Sequence, residues 1–103
     1  MQNVDEIVRV LRTHEAALKR LGALHIAVFG SVVRGHHEPT SDIDLAVSFS
    51  GSAETEGLAY FAVRERVREY LSLLFEGSVD LSDPQMMRPS VREEFRASKA
   101  DAF

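Results

Sequence analysis

Residues 30–49 read Gly-Ser-Val-Val-Arg-Gly-His-His-Glu-Pro-Thr-Ser-Asp-Ile-Asp-Leu-Ala-Val-Ser-Phe. From Asp42 to Phe49 polar or small residues alternate with large apolar ones, the period of a strand with one buried face. In such a strand Ile43, Leu45 and Val47 point into a core, and Asp42 and Asp44 share the opposite face. Two adjacent carboxylates repel and raise the pKa of at least one member unless a cation lies between them, so the pair suggests a cation site. Ligands made only of oxygen suit magnesium or manganese.

Just upstream, residues 25–29 are short and β-favouring, and read as a buried strand that runs into Gly30-Ser31. A strand end of this kind offers free backbone N–H groups for phosphate oxygens. Glycine permits close approach, the Ser31 hydroxyl adds a donor, and Arg34 lies one turn later. Between Ser31 and Thr40, Gly35, His36, His37 and Pro39 leave room for at most a turn of helix and a loop.

Outward from this centre, apolar residues recur at three- and four-residue steps over 4–21, predicting one helix stopped by Gly22. The same period predicts a long helix over 54–75 ended by Gly77. Residues 78–82 alternate as a third strand, Pro84 turns the chain, and 88–97 predict a short helix. The order α, β, β, α, β, α implies an α+β fold of two layers, a small mixed sheet with helices packed on one face.

In the third strand, Val79 and Leu81 face the core only if Asp80 faces away. If that strand neighbours the second, three carboxylates share one surface, enough for two metals about 3.5 to 4 Å apart. Asp83 is the rival, but falls on the core-facing side of the alternation, before Pro84.

With 103 residues, 45% of them apolar, the chain has the size of one domain, residues 1–103, with one core. It has no cysteine, and its N-terminal residues include Asp5, Glu6, Arg9 and Arg12, which fit neither a signal peptide nor a membrane span. The expected location is the cytoplasm. A formal charge of −4 disfavours long nucleic acid as a partner. A small phosphate compound carrying its own magnesium stays open.

The stretch GSVVRGHHEPTSDIDL resembles the signature of DNA polymerase beta-type nucleotidyltransferases, and most of all the minimal nucleotidyltransferase (MNT) branch, which often reads GSxARGxxxxxSDIDL. The match takes in Gly30, Ser31, Arg34, Gly35, Ser41, Asp42, Asp44 and Leu45, and Asp80 falls where the family places its third carboxylate. The resemblance implies a nucleotidyltransferase with a nucleotidyltransferase-like fold. Asp42, Asp44 and Asp80 are then catalytic ligands of two Mg²⁺ ions, and Gly30, Ser31, Arg34 and Ser41 hold ATP or another NTP. MNT proteins commonly act as antitoxins of HEPN-type toxins by attaching AMP to a toxin tyrosine, which implies a HEPN partner here. Departures are Val33 in place of alanine, His36-His37, and a C-terminus without the apolar closing strand of many relatives.

Other readings accompany this one. The chain could instead neutralise a partner by contact without catalysis, or modify a small molecule. His36 and His37 read as exposed loop residues. Arg64, Arg66 and Arg68, interleaved with Glu65 and Glu69, read as a solvated helix face laced with ion pairs. Tyr60 and Tyr70 read as core or boundary residues, and Arg88, Arg92 and Arg96 as a basic stripe.

Overall fold

A computed structural model describes residues 3–30, 33, 42–51 and 56–103. The elements are α1 (Val4–Thr13), α2 (Glu15–Leu21), β1 (Ala23–Phe29), β2 (Ile43–Phe49), α3 (Leu58–Phe75), β3 (Val79–Ser82), a 3-10 turn (Pro84–Met86), α4 (Pro89–Ser98) and β4 (Ala100–Asp101). Among the described residues the strands form one sheet in the order β3-β2-β1-β4. β1 runs antiparallel to both β2 and β4, while β2 and β3 are parallel, so the sheet is mixed.

The alternation of β2 sorts its side chains as expected: Ile43, Leu45, Val47 and Phe49 are buried. They join Ile26 and Val28 of β1 and Val79 and Leu81 of β3 in one core with Ile7, Leu11, Leu18, Tyr60, Val67 and Leu71 of α1, α2 and α3. Burial at this density supplies most of the stability of such a domain, at roughly 25 cal/mol for each Å² of apolar surface removed from water.

The predicted helix over 4–21 is two helices. Asn3 caps α1 by accepting from the Glu6 N–H at 2.9 Å. The helix ends at His14, with φ −101° and ψ 13°, and α2 begins at once. At the break the Thr13 hydroxyl donates to the Arg9 carbonyl at 2.9 Å, a back-bond that bends helices. Nδ1 of His14 lies 2.7 Å from the Tyr70 hydroxyl of α3. Gly22 ends α2 in the left-handed region, as predicted.

Two further corrections concern helix ends and faces. The long helix runs over Leu58–Phe75, and Glu76, not Gly77, takes the left-handed position behind it at φ 52°. Helices α1, α2 and α3 cover one face of the sheet, but α4 does not join them. Its Phe95 is buried on the other face against Ala27 and Ala46, with its ring edge-on to Phe29 at 5.6 Å. The small side chains of Ala27 and Ala46, register partners in the ladder, leave the space that Phe95 fills.

The C-terminus also closes the sheet without the large apolar residues that the family pattern would supply. Ala100 and Asp101 pair with Val28 and Ala27, and the Ala102 N–H donates to the Ile26 carbonyl at 2.9 Å. Arg12 of α1 ties this segment down, donating to the Ala102 carbonyl at 2.7 Å. Buried Ala102 faces the core, where a small side chain suffices.

Candidate active site

The face that α1, α2 and α3 leave open carries the alternate residues of each strand. On β2 these are Asp44, Ala46 and Ser48; on β3, Asp80 and Ser82; on β1, Ala27 and Phe29. Asp44 and Asp80 are register partners across the parallel ladder, on strands about 4.8 Å apart. The condition set by the sequence, that the second and third strands be neighbours, is therefore met. Asp42 immediately precedes β2, is exposed, and by alternation belongs to the side of Asp44.

β1 delivers Gly30 to the same place, because Phe29 pairs with Asp44. Gly30 is buried and adopts φ +78°, a conformation that favours glycine. A β-carbon on Gly30 would lie 2.9 Å from Asp44 Cγ and closer still to Oδ2. The absent side chain is thus what gives the Asp44 carboxylate its position against the backbone turn. Ser31, Arg34 and Ser41, expected to hold the nucleotide, lie outside the described residues, as do His36 and His37. Val33, at the family's alanine position, packs half-buried against the main core.

These groups line a cavity of about 250 Å³, with Gly30, Asp44, Asp80 and Ser82 on the sheet side and Glu94 and Phe95 across from them on α4. Ser82 was legible in principle, two residues beyond Asp80 on the same face. Glu94 had no sequence signal, since it required knowing that α4 crosses to the catalytic face. Among the described residues no group of three His, Cys, Asp or Glu side chains is gathered into a metal cluster. The Asp44–Asp80 pair, two carboxylates with no nitrogen or sulfur ligand, has the donor chemistry that magnesium takes.

Asp83 is excluded from this surface. It is buried on the core side, where Oδ2 accepts from the Tyr60 hydroxyl at 2.6 Å and Oδ1 from the Gln85 N–H at 3.0 Å. Burial, reinforced by Asp83, pushes the Tyr60 phenol above its ordinary value of 10. The solvated reading of α3 holds for Arg68, which pairs with Glu65, but not for Arg64. Arg64 is half-buried and donates to the Leu81 carbonyl at 2.6 Å. Arg92, in the expected basic stripe, instead turns back on its own chain, donating to the Pro84 carbonyl at 3.1 Å.

The family model described as nucleotidyltransferase domain matches residues 11–100, which include Gly30 and all three aspartates. The chain belongs to the nucleotidyltransferase domain family. Among similar nucleotidyltransferases is the protein adenylyltransferase MntA of Thermococcus cleftensis, 39% identical over 82 residues, covering 79% of this chain and 77% of that one. A solved chain designated a minimal nucleotidyltransferase superposes with a TM-score of 0.73 at 27% identity, covering 95% of this chain and 94% of its own. A chain from a toxin-antitoxin structure with AMP-PNP shares the fold at a TM-score of 0.65 and 20% identity, covering 99% of this chain and 73% of that one. Of the three carboxylates singled out in the sequence, Asp44 and Asp80 line the cavity, and Asp42 stands just ahead of β2. No helix among the described residues is long and apolar enough to cross a membrane.

Proposed function

We propose that this nucleotidyltransferase moves AMP from ATP to a hydroxyl of a HEPN-type toxin partner, a tyrosine by resemblance, and thereby acts as its antitoxin in the cytoplasm. The observation that carries the reading is the convergence of Asp44, Asp80 and the glycine turn at Gly30 on one cavity. The adenylyltransferase relative and the AMP-PNP-containing structural neighbour support the donor and the class of acceptor. Residues 1–103 would act as a single catalytic domain, with the acceptor presented by the partner.

In this mechanism the backbone turn at Gly30, with Ser31, Arg34 and Ser41, holds the triphosphate through N–H, hydroxyl and guanidinium donors. Asp42 and Asp44 would hold magnesium at the triphosphate, and Asp80 would help to hold a second ion at the acceptor. Magnesium, when bound, supplies the positive charge that neutralises the phosphates and the attacking oxygen. Asp80, the more exposed of the register pair, orients the acceptor hydroxyl in line with the α-phosphate. An oxygen–phosphorus bond forms at the α-phosphate as the bond to the β-phosphate breaks. Pyrophosphate leaves and the hydroxyl proton passes to solvent. Catalysis comes from positioning and charge neutralisation, without a covalent enzyme intermediate.

The test is incubation of the protein with α-labelled ATP, magnesium and the product of the neighbouring gene. Label on the partner, lost together with neutralisation in Asp42→Asn and Asp44→Asn, supports the enzyme. Neutralisation that persists in both variants would mean that contact alone silences the partner.

A further inference from the structure

Asp80 sits on an edge strand of the sheet. Among the described residues β3 is an edge strand of 4 residues, paired on one side only, with β2. Its buried face opposes a slip of one residue, which would turn Asp80 into the core and Leu81 into the cavity, but a slip of two residues keeps the faces and moves Asp80 off Asp44.

Two polar anchors from α3 grip this strand from the core side. Arg64 donates to the carbonyl of Leu81, the residue after Asp80, at 2.6 Å. Tyr60, 1% exposed, donates to Asp83, 5% exposed, at 2.6 Å. Asp83 in turn caps the 3-10 turn through the Gln85 N–H. The Tyr60 ring is set by edge-on contacts with Phe49 at 5.5 Å and Phe61 at 5.2 Å. Apolar packing alone would serve stability at least as well, because burying a phenol and a carboxylate carries a desolvation penalty. Packing of Val79 and Leu81 resists a one-residue slip but not a two-residue slip, which keeps the faces and carries Asp80 away from Asp44, whereas hydrogen bonds to Leu81 and Asp83 oppose both.

We propose that Arg64 and the Tyr60–Asp83 pair are positioning residues that lock the register of β3 and so keep Asp80 opposite Asp44. None of the three lines the cavity, so their effect on the reaction passes through Asp80. The consequence for catalysis rests on the nucleotidyl-transfer reading above; the register lock does not.

The test therefore has two arms, run on the full chain of wild type, Tyr60→Phe, Arg64→Met and Arg64→Lys. In the first, hydrogen–deuterium exchange is followed at β1 and β3 amides. Tyr60→Phe and Arg64→Met should exchange faster at β3 by about tenfold or more, the loss of one hydrogen bond of about 1.4 kcal/mol, with β1 unchanged. Arg64→Lys, which keeps a donor for the Leu81 carbonyl, should fall back toward wild type. In the second arm, label transfer should lose about tenfold to a hundredfold in kcat, as expected for a displaced catalytic group, while KM for ATP stays within about twofold. Unchanged β3 exchange, or equal acceleration in β1 and β3, overturns the lock. Faster β3 exchange with unaltered kcat in an active enzyme overturns its role in catalysis. A wild type that transfers no label would count against the enzymatic reading, leaving the exchange arm to decide the lock by itself.

Discussion

Replacing Gly30 with alanine isolates the contact on which the catalytic face is built. Alanine at φ +78° incurs about 1–2 kcal/mol of left-handed strain. Its β-carbon would also stand 2.9 Å from Asp44 Cγ, so the carboxylate must retreat by about 1 Å to regain an ordinary carbon–carbon separation. Turning Asp44 off its rotamer adds about 0.5–1.5 kcal/mol. The total of about 2–3 kcal/mol lowers the melting temperature by about 10–20 °C for a domain of this size. The variant should still fold at low temperature, where kinetics can be measured. A catalytic carboxylate displaced by about 1 Å reduces transfer by about a hundredfold. The assay is label transfer from α-labelled ATP at a temperature where circular dichroism shows both proteins folded. A folded Gly30→Ala protein whose kcat lies within about threefold of wild type would refute the claim that this glycine exists to seat Asp44.

Three other outcomes follow from the same structure. Asp80→Asn, measured without metal, should melt at or slightly above the wild-type temperature, since it removes an exposed carboxylate from beside Asp44; a large drop would count against a dedicated cation site. Phe95→Ala should lose about 3 kcal/mol or more, measured by denaturant unfolding, because Phe95 is the buried residue by which α4 holds to Ala27, Ala46 and Phe29; a loss under about 1 kcal/mol would mean that α4 is anchored elsewhere. The raised Tyr60 pKa means that the folded state holds this proton more tightly than the unfolded chain. Its contribution is therefore complete below pH 10 and declines as pH rises through the folded pKa, and the stability advantage over Tyr60→Phe should shrink above pH 10 in alkaline melts. An advantage that is constant across that range would contradict the Asp83 contact.

Much of the catalytic face was legible because strands have a period of two. Once Ile43, Leu45, Val79 and Leu81 are assigned to the core, Asp44 and Asp80 have no other place than the opposite face, and Asp83 falls on the core side. What a period cannot carry is where a long side chain reaches or on which face a short helix settles. Arg64 looked like its neighbours Arg66 and Arg68 in the sequence, yet its guanidinium reaches a strand carbonyl. α4 reads as a short amphipathic helix wherever it lies. Only the small residues Ala27 and Ala46, which make room for Phe95, decide that it crosses to the catalytic side. The break at His14 depends on a partner, Tyr70, far along the chain. The closing strand was missed because its core residue is Ala102, too small to register as an apolar signal.

The proposed transfer requires Asp44 and Asp80 to serve one site that holds cations and nucleotide together. A double-mutant cycle on manganese-dependent binding of a non-hydrolysable ATP analogue, with Asp44→Asn, Asp80→Asn and the pair, measures this directly. A shared site predicts that each single change weakens binding and that the double change departs from their sum by about 1 kcal/mol or more. Strictly additive losses, or binding untouched by Asp80→Asn, would contradict it.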